Sequence, residues 1–426
     1  MGRINMKEIY AVLDIGSTTI KLLVAETVSA NINILFSKKI PSHGISKGEI
    51  KDMDAVVEDI HSIVNEANKE LNTTIQSVAL VLPSHDARVY LGDGITKVNS
   101  PSDKIGVDDV LRTIKLSRRF ELSKNEDVVS TVAIRYHTDT RTLDKIPLGV
   151  RSASLKAETM IIATRKKTLY AYLTAVEKAG LELLDITIDA YASAKEAFDA
   201  VYLQEGAILI DVGYRSSTIA FFEDGYLKYL TQAPVGGFDL TKAIAVEWQI
   251  PMNQAEVYKV KYGTCQKDLG NEDVILSSNV DGRIVNYTQK DLSGVLTRAV
   301  QDMMEVVKSK IDVINDGRNY ETVIVGGGGE LPFFDEVATD ALGSPVRCYR
   351  PETIGARDMT FVPSLGMVYY LNDRKELLGE QNVSLTLPDL SSTMNMRLKG
   401  LTKTKTETEN KGRFKRFLEA ILSDDE

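Results

Sequence analysis

The sequence has few of the residues that build disulfide frameworks or metal centres. Its 426 residues include two cysteines and four histidines, and the histidines lack the spacing typical of metal ligands. Cys265 and Cys348 are too few to support a disulfide-linked fold, so we expect both to be ordinary core residues of a protein from a reducing compartment.

Long apolar runs and an excess of positive charge are also missing. We find no run long enough to span a bilayer and expect no signal peptide. The net charge of −9 argues against nucleic-acid binding by bulk electrostatics. Hydrophobic residues make up 43% of the chain, which is enough for a sizeable core, and the length indicates more than one folding unit.

The first part of the chain alternates strand and helix patterns. Residues 53–71 have apolar positions at helical spacing, and apolar runs typical of strands lie before and after them. This alternation predicts α/β layers. Residues 85–160 are instead rich in Asp, Ser, Thr and Lys between two strand-like runs, and there we expect an inserted small α+β unit.

The stretch AVLDIGSTTIK, residues 11–21, places a carboxylate, a glycine and three hydroxyls between two apolar strands. A tight turn needs the backbone freedom of Gly16, but it does not need Asp14 before it or the hydroxyls after it. Amides and hydroxyls suit a phosphate, and a carboxylate suits a hydrated magnesium ion. The alternative is a polar β-turn between buried strands.

The same pattern returns in residues 207–225. An apolar strand again ends in Asp-x-Gly, at Asp211 and Gly213, and resumes after a run of hydroxyls. We interpret the two copies as a duplicated domain, with Ser216–Thr218 aligned to Ser17–Thr19 and a second turn that is two residues longer. Two such turns facing one cleft would hold the phosphates of a nucleotide from both sides.

A third motif is ETVIVGGGGELPFFDEVA, residues 321–338. A β-branched strand leads into four glycines and then into a helix pattern, which lets the backbone approach a flat ligand at a helix N-terminus. The motif alone is weak, because glycine runs also form plain turns. Its position after two Asp-x-Gly hairpins is what favours a nucleotide site.

The order of these motifs resembles the two phosphate motifs and the adenosine motif of the actin-like ATPases, and within them the chain resembles the bacterial cell-division family FtsA. Further stretches with this resemblance are PVGGFDLTKAIA (234–245), AEVYKVKYG (255–263), SPVRCYRPETIG (344–355), KIPLGVRSASLKAE (145–158) and the C-terminal GRFKRFLEAIL. The resemblance implies an α/β, actin-like fold of two duplicated domains around a nucleotide cleft, with an inserted subdomain IC and a C-terminal amphipathic helix.

The resemblance also implies a division into subdomains. Residues 1–84 and 161–202 would form IA, 85–160 IC, 203–230 and 301–360 IIA, and 231–300 IIB; residues 361–390 would return to IA, 391–410 would be a flexible linker, and 411–426 the membrane-targeting helix with an acidic end.

The ligands implied by the resemblance are ATP and Mg²⁺, with Asp14 and Asp211 facing the metal through water. The implied ATP- and phosphate-binding residues are Asp14, Gly16, Ser17, Thr18, Thr19, Lys21, Asp211, Gly213, Ser216 and Ser217. The implied adenosine-binding residues are Glu256, Lys259, Gly326, Gly327 and Gly328. For Glu256 and Lys259 the alternative is an i,i+3 ion pair on a solvated helix face, and for Lys21 a lysine at a strand edge.

The second hairpin departs from the family pattern, in which Gly-Gly-Gly-Thr-Thr-Asp is common. Tyr214 and Arg215 replace glycines, so close backbone approach is harder there. Thr218 stands where an acid is common, so we expect at most a slow ATPase and assign no catalytic residue, Asp189 included. Arg215 would contact either a phosphate or a carboxylate at the surface.

Residues 411–422, KGRFKRFLEAIL, predict a membrane-surface helix because one apolar stripe is flanked by cations. The stripe is Phe414, Phe417, Leu418, Ile421 and Leu422, and the cations are Lys411, Arg413, Lys415 and Arg416. The alternative is a helix packed on the chain's own core or in a partner's groove. The polar tract before it predicts a flexible tether.

The resemblance therefore implies a polymer-forming tether at the division site, peripheral on the cytoplasmic side of the cell membrane. Its partners would be the FtsZ C-terminal peptide docked on IIB, further copies of itself in filaments, an anionic membrane surface and later divisome proteins. The alternatives are a PilM-like pilus-assembly protein and a small-molecule kinase of the same superfamily, which would need a catalytic carboxylate and a sugar pocket.

Overall fold

The strands and helices alternate through most of the chain in a computed structural model. It describes residues 8–28, 31–100, 102–119, 121–265, 271–280, 283–314, 317–378 and 384. The chain divides into two units: the first contains Met1–Glu196, Glu352–Arg357 and Pro363–Glu426, and the second contains Ala197–Pro351 and Asp358–Val362.

The elements have the following bounds. The strands are β1 (Glu8–Ile15), β2 (Thr19–Val28), β3 (Asn31–Pro41), β4 (Ile45–Ser46), β5 (Glu49–Ile50), β6 (Ser77–Leu82), β7 (Arg88–Lys97), β8 (Glu126–Thr138), β9 (Thr142–Leu143), β10 (Ser154–Arg165), β11 (Glu182–Ile188), β12 (Ala207–Val212), β13 (Ser217–Glu223), β14 (Tyr226–Ala233), β15 (Val274–Val280), β16 (Arg283–Thr288), β17 (Glu321–Val325) and β18 (Val346–Cys348). The helices are α1 (Met53–Leu71), α2 (Val107–Leu116), α3 (Lys166–Lys178), α4 (Asp189–Ala197), α5 (Ala200–Glu205), α6 (Gly237–Glu247), α7 (Met252–Tyr262), α8 (Gln289–Ile311), α9 (Phe334–Leu342) and α10 (Val362–Leu378).

The main sheets of the two units have the same strand order. In the first unit the order is β3-β2-β1-β6-β11, and in the second it is β14-β13-β12-β17-β18. In each sheet three sequential strands pair antiparallel, and two later strands join them in parallel. The predicted duplication of an α/β unit is confirmed by this shared topology.

A separate four-stranded sheet, in the order β7-β10-β8-β9, lies in the first unit. Its strands come from the chain between β6 and α3, and α2 belongs to the same stretch. The stretch thus combines a sheet and a helix of its own, as an α+β insertion would.

Local sequence signals explain where the helices begin and which face they bury. The Asp52 side chain accepts a hydrogen bond from the Ala55 N–H at 3.1 Å and caps α1, which satisfies one of the free N–H groups of its first turn. Val56, Ile60 and Ile63 then recur at helical spacing and are buried. The helix predicted for residues 53–71 is confirmed with these bounds.

The central strands β1 and β2 bury most of their residues, including the apolar runs Ile9–Leu13 and Leu22–Ala25, as expected for strands covered on both faces. β6 pairs with β1 only from Val12 to Asp14. Beside the earlier half of β1, Ser384 donates its N–H to the Ile9 carbonyl at 2.9 Å and accepts from the Ala11 N–H at 2.8 Å. A residue from beyond α10 therefore contacts the strand that carries Asp14.

Two predictions concern the remaining features of the chain. Cys265 is buried and Cys348 is half-buried, as predicted for core residues, and burial raises the pKa of each thiol to about 12. Of the described helices, none combines the length and the apolar character needed to cross a membrane. The predicted tether and membrane helix, residues 391–426, lie outside the described residues.

Candidate nucleotide-binding site

The first Asp-x-Gly motif forms the turn between β1 and β2. In the register of these strands Ile15 faces Ile20, and the Gly16 N–H donates to the Thr19 carbonyl at 3.0 Å. Within the described chain, the N–H groups of Ser17 and Thr18 have no acceptor. Successive free N–H groups at a turn are suited to bind an anion.

Asp14 and Lys21 face each other across this hairpin. The Lys21 ammonium lies 2.7 Å from an Asp14 carboxylate oxygen, and each side chain is 10% exposed. Lys21 is therefore not a solvated edge lysine, because β2 lies between β1 and β3. The hairpin thus holds a buried cation and a buried carboxylate side by side.

A loop that the sequence did not single out supports the hairpin tip. The Ser42 N–H donates to the Thr18 carbonyl, and the Gly48 N–H donates to the Ser17 hydroxyl, both at 2.9 Å. The buried Tyr172 hydroxyl donates to the Gly48 carbonyl at 3.0 Å. These contacts join residues distant in sequence, so no local pattern could have predicted them.

The second Asp-x-Gly motif forms an equivalent turn between β12 and β13. Val212 faces Ser217, Asp211 faces Thr218, and the Gly213 N–H donates to the Ser216 carbonyl at 3.1 Å. The expectation of a turn two residues longer is wrong, because both hairpins close three residues after the glycine. The run of hydroxyls had suggested the wrong alignment.

The corrected alignment changes the counterparts of several residues. In the second hairpin Tyr214, Arg215, Ser216, Ser217 and Thr218 hold the positions of Ser17, Thr18, Thr19, Ile20 and Lys21. The N–H groups of Tyr214 and Arg215 again donate to none of the described residues. Ser217 instead holds the inward position of Ile20, and its buried hydroxyl donates to the Val235 carbonyl at 2.8 Å. The phosphate-binding role of Ser217 stays a prediction. In this structure its hydroxyl already donates to the Val235 carbonyl.

The start of α6 is fixed to the second hairpin. The N–H groups of Gly237 and Phe238 donate to the carbonyls of Gly213 and Tyr214 at 2.9 and 2.8 Å. A Cβ atom at Gly236 would overlap these same carbonyls. The first glycine of the pair in PVGGFDLT, Gly236, is thus explained by the close approach of two backbones.

The glycine-rich turn after β17 packs on the same hairpin. Gly326 has a φ of +87°, and a Cβ atom there would clash with the Asp211 carboxylate and the Val212 carbonyl. A Cβ atom at Gly328 would meet the Val212 side chain at 2.5 Å. The structure therefore brings the predicted adenosine turn and one predicted metal-facing carboxylate together within the second unit.

Lys259 and Glu256 form an ion pair of 2.8 Å on α7. The Lys259 ammonium also donates to the Gly237 carbonyl at 3.0 Å and to the Thr241 hydroxyl at 2.8 Å, and that hydroxyl donates to Glu256. The i,i+3 ion pair expected as the alternative is therefore formed, with Lys259 buried and the Glu256 side chain 39% exposed. The pair lies beside the start of α6, while its contact with adenosine stays a prediction.

Asp189 has a structural role at the first turn of α4. Its carboxylate accepts hydrogen bonds from the Ser84 N–H at 3.1 Å and from the Ser84 hydroxyl. Over the described part of the chain, no group of three or more His, Cys, Asp or Glu residues is arranged to hold a metal ion directly.

Comparison with known families extends these observations to the whole chain. A family model described as cell division protein FtsA matches residues 208–366, and one described as type IV pilus assembly protein PilM matches residues 12–273. The cell division protein FtsA of Bacillus subtilis is 27% identical over 391 residues, covering 90% of this chain and 88% of the relative. FtsA of Enterococcus hirae is 26% identical, covering 88% and 86%.

The chain is similar to FtsA proteins along nearly its whole length, and the PilM model matches more than half of it. The PilM model covers more of the chain than the FtsA model does, but the relatives that match along nearly their full length are FtsA proteins.

Solved structures confirm the actin-like α/β fold. The PilM–PilN type IV pilus biogenesis complex contains a chain with a TM-score of 0.56 and 16% identity, covering 87% of this chain and 99% of that chain. MreB5 of Spiroplasma citri bound to ADP has a TM-score of 0.51 and 15% identity, covering 86% and 98%. At this identity the likeness concerns the fold.

Proposed function

We propose that this chain is an ATP-binding cell-division protein that polymerises and tethers the FtsZ ring to the inner face of the cytoplasmic membrane. The observation that carries the nucleotide part is the pair of hairpins of equal length. Each has a carboxylate before the turn, and each has successive tip N–H groups without an acceptor among the described residues.

The groups on the two hairpins fit Mg-ATP. Asp14 and Asp211 would hold Mg²⁺ through water, and Lys21 and the tip N–H groups would bind phosphate oxygens. Gly326–Gly328, with Glu256 and Lys259, would contact the adenosine. When bound, the magnesium ion would neutralise part of the phosphate charge.

Slow hydrolysis is part of the proposal. A general base must lie within hydrogen-bond reach of the attacking water, yet Thr218 rather than an acid faces Asp211, and Asp189 is bonded to Ser84. We expect turnover below about 1 s⁻¹, the lower end of typical enzyme rates. A faster rate would favour the kinase alternative.

The cell-division role is supported by the similarity to FtsA proteins along nearly the whole chain and by the FtsA model that matches residues 208–366. The tether would be residues 411–422, which carry the apolar stripe and the flanking cations. One interfacial helix of this size binds reversibly, with about 1 kcal/mol from each basic residue on anionic lipid. Polymerisation would strengthen attachment by avidity, which links filament formation to membrane binding.

Co-sedimentation with anionic liposomes tests the tether, with FtsZ added in a second arm. We expect the full chain to sediment with liposomes and to bring FtsZ with it. Phe417→Glu, or truncation after Asn410, should leave the chain in the supernatant. The control is Ile354→Glu, which adds the same charge at a side chain that is already 81% exposed. Sedimentation of Phe417→Glu at the level of the wild type would contradict the proposed anchor.

The PilM-like alternative is favoured by the match to residues 12–273 and by the PilM–PilN structure. The FtsZ arm separates the two functions. Wild-type protein that sediments with liposomes but leaves FtsZ in solution would favour the alternative, whereas recruitment of FtsZ that is lost with its C-terminal peptide would favour the division role.

A further inference from the structure

Arg215 occupies the tip of the second hairpin, in the position that Thr18 holds in the first. Its guanidinium carbon lies 3.6 Å from the centre of the Phe238 ring and 5.4 Å from that of Tyr214. The two rings meet edge to face, with their centres 5.7 Å apart. An exposed arginine stacked on two rings is held weakly, and a charge-assisted hydrogen bond is stronger.

The Arg215 guanidinium pairs with no carboxylate in the described part of the chain. The surface salt bridge expected as one alternative is therefore not formed there. The side chain is also exposed, so it can exchange its ring contacts for another partner without disturbing the core. Among the described residues, Arg215 thus has no anionic partner, and the N–H groups of Tyr214 and Arg215 at the same turn have no acceptor.

Neighbouring positive groups of the second unit are already used. The Lys259 ammonium contacts the Gly237 carbonyl, the Thr241 hydroxyl and the Glu256 carboxylate. The first N–H groups of α6 donate to carbonyls of the hairpin. These groups would have to give up hydrogen bonds or an ion pair to bind a further phosphate, whereas Arg215 would give up only its contacts with two rings.

We propose that Arg215 binds the terminal phosphate of the bound nucleotide, so that the second hairpin distinguishes a triphosphate from a diphosphate. This inference rests on the proposed ATP binding. The tip N–H groups would contact a phosphate that lies against the backbone, whereas the long arginine side chain, once released from the rings, would extend to the next phosphate. Its planar fork matches two oxygens of a terminal phosphate.

The rings give Arg215 a defined resting position. Phe238 is at the start of α6, whose N–H groups donate to the hairpin carbonyls. Because the guanidinium stacks on Phe238, it is held beside the turn. Less side-chain freedom is then lost when the phosphate binds. Tyr214 and Arg215 replace glycines of the FtsA pattern. In this proposal they act together, since the Tyr214 ring helps to position the Arg215 guanidinium for phosphate binding.

The test compares the affinities of the full chain for Mg-AMP-PNP and for Mg-ADP by calorimetry. We expect Arg215→Gln to weaken binding of the triphosphate analogue about tenfold or more, because it loses a charged hydrogen bond, and to change ADP affinity by less than about twofold. Arg215→Lys should recover part of the loss, since it keeps the charge without the fork.

The matched control is Arg318→Gln. Arg318 also lies over a ring, at 5.0 Å from the centre of Tyr320, and it pairs with Glu223 at the far end of β13 from the hairpin. The Arg318→Gln variant should bind Mg-AMP-PNP and Mg-ADP with the affinities of the wild type. Unaltered Trp248 fluorescence, which reports the second unit, would show that each variant is folded.

Two results would overturn the inference alone: an unchanged ratio of the two affinities in Arg215→Gln, or equal weakening of both. If the wild type binds neither nucleotide, the proposed function fails and the inference fails with it. Weakening confined to the triphosphate analogue supports both.

Discussion

The two Asp-x-Gly hairpins have the same backbone and different chemistry. Both close through a hydrogen bond from the glycine N–H, and both place an aspartate two residues before that glycine. In the first, Lys21 faces the carboxylate across the strands. In the second, Thr218 holds that position, and the positive charge lies at the tip on Arg215. The two hairpins therefore share the turn and the carboxylate, but they carry their cation at different positions: opposite the carboxylate in the first and at the tip in the second.

The surroundings of the hairpins differ in the same way. The first is supported by the loop from Ser42 to Gly48, and the second by α6 and the glycine turn at Gly326. Asp14 is thus neutralised by a cation, whereas Asp211 packs against a backbone that leaves no room for a side chain. The first hairpin depends on charge balance and the second on close packing, and each kind of dependence can be tested separately.

The largest effect should come from Lys21→Met in the first hairpin. It leaves the Asp14 carboxylate buried and unpaired, so we expect a loss of about 3–5 kcal/mol in the free energy of unfolding. Circular dichroism during urea unfolding would measure it. The transition of Trp248, the sole tryptophan of the chain and part of the second unit, serves as an internal reference.

The matched change in the second hairpin is Thr218→Val, which should cost about 1 kcal/mol, because it removes a neutral hydrogen bond with Gln232. Combining Asp14→Asn with Lys21→Met should recover most of the first loss. Equal effects of Lys21→Met and Thr218→Val would contradict the difference in charge balance.

Gly326→Ala should have the next largest effect and act on the second hairpin. The added methyl group meets Asp211 and Val212, and the positive φ is strained for alanine. We expect a loss of about 2–4 kcal/mol from strain and overpacking together, measured by Trp248 fluorescence in urea.

Gly317→Ala isolates the backbone contribution. Gly317 has a φ of +86° in the same unit, and a Cβ atom there would meet nothing within 4 Å. Its loss should be about 1–2 kcal/mol. If the two alanine variants are equally stable, the glycine turn does not pack on the hairpin as described.

The smallest expected effect is a pH dependence of stability that comes from His85, which lies beside the Gly48 loop that supports the first hairpin. Burial beside Gly48 lowers the pKa of His85 from its usual 6.5, against the opposing charge of Asp86. In the unfolded chain His85 takes up a proton near its ordinary pKa, but in the folded chain His85 takes up that proton only at lower pH. The stabilising contribution is therefore present above about pH 6.5 and is lost as pH falls through the lowered pKa of the folded state.

His85→Gln removes this titration. Between pH 7 and 5 the thermal midpoint of the wild type should fall more steeply than that of the variant, and the amide of Gly48 should lose exchange protection only in the wild type. Parallel pH profiles would show that His85 is not the titrating group.

The sequence was sufficient to predict the strands, the duplication and the helix of residues 53–71, because apolar periodicity and turn residues are local signals. It was not sufficient to predict the register of the second hairpin. There the run of hydroxyls suggested an alignment that differs from the observed cross-strand pairing. The observed pairing places Ser217 on the buried side and Arg215 at the tip. The loop at Gly48 and the contacts of Lys259 with Gly237 and Thr241 of α6 also escaped prediction, since they join residues far apart in the chain.

Calorimetric titration of Mg-ATP into the wild type, Asp14→Asn and Asp211→Asn tests most directly whether both hairpins serve one nucleotide. Each substitution keeps the size of the side chain and removes the charge that would face the metal. We predict about a tenfold or greater loss of affinity in both variants, and a comparable loss when magnesium is removed from the wild type. A variant at either position that binds Mg-ATP as tightly as the wild type would contradict the shared site.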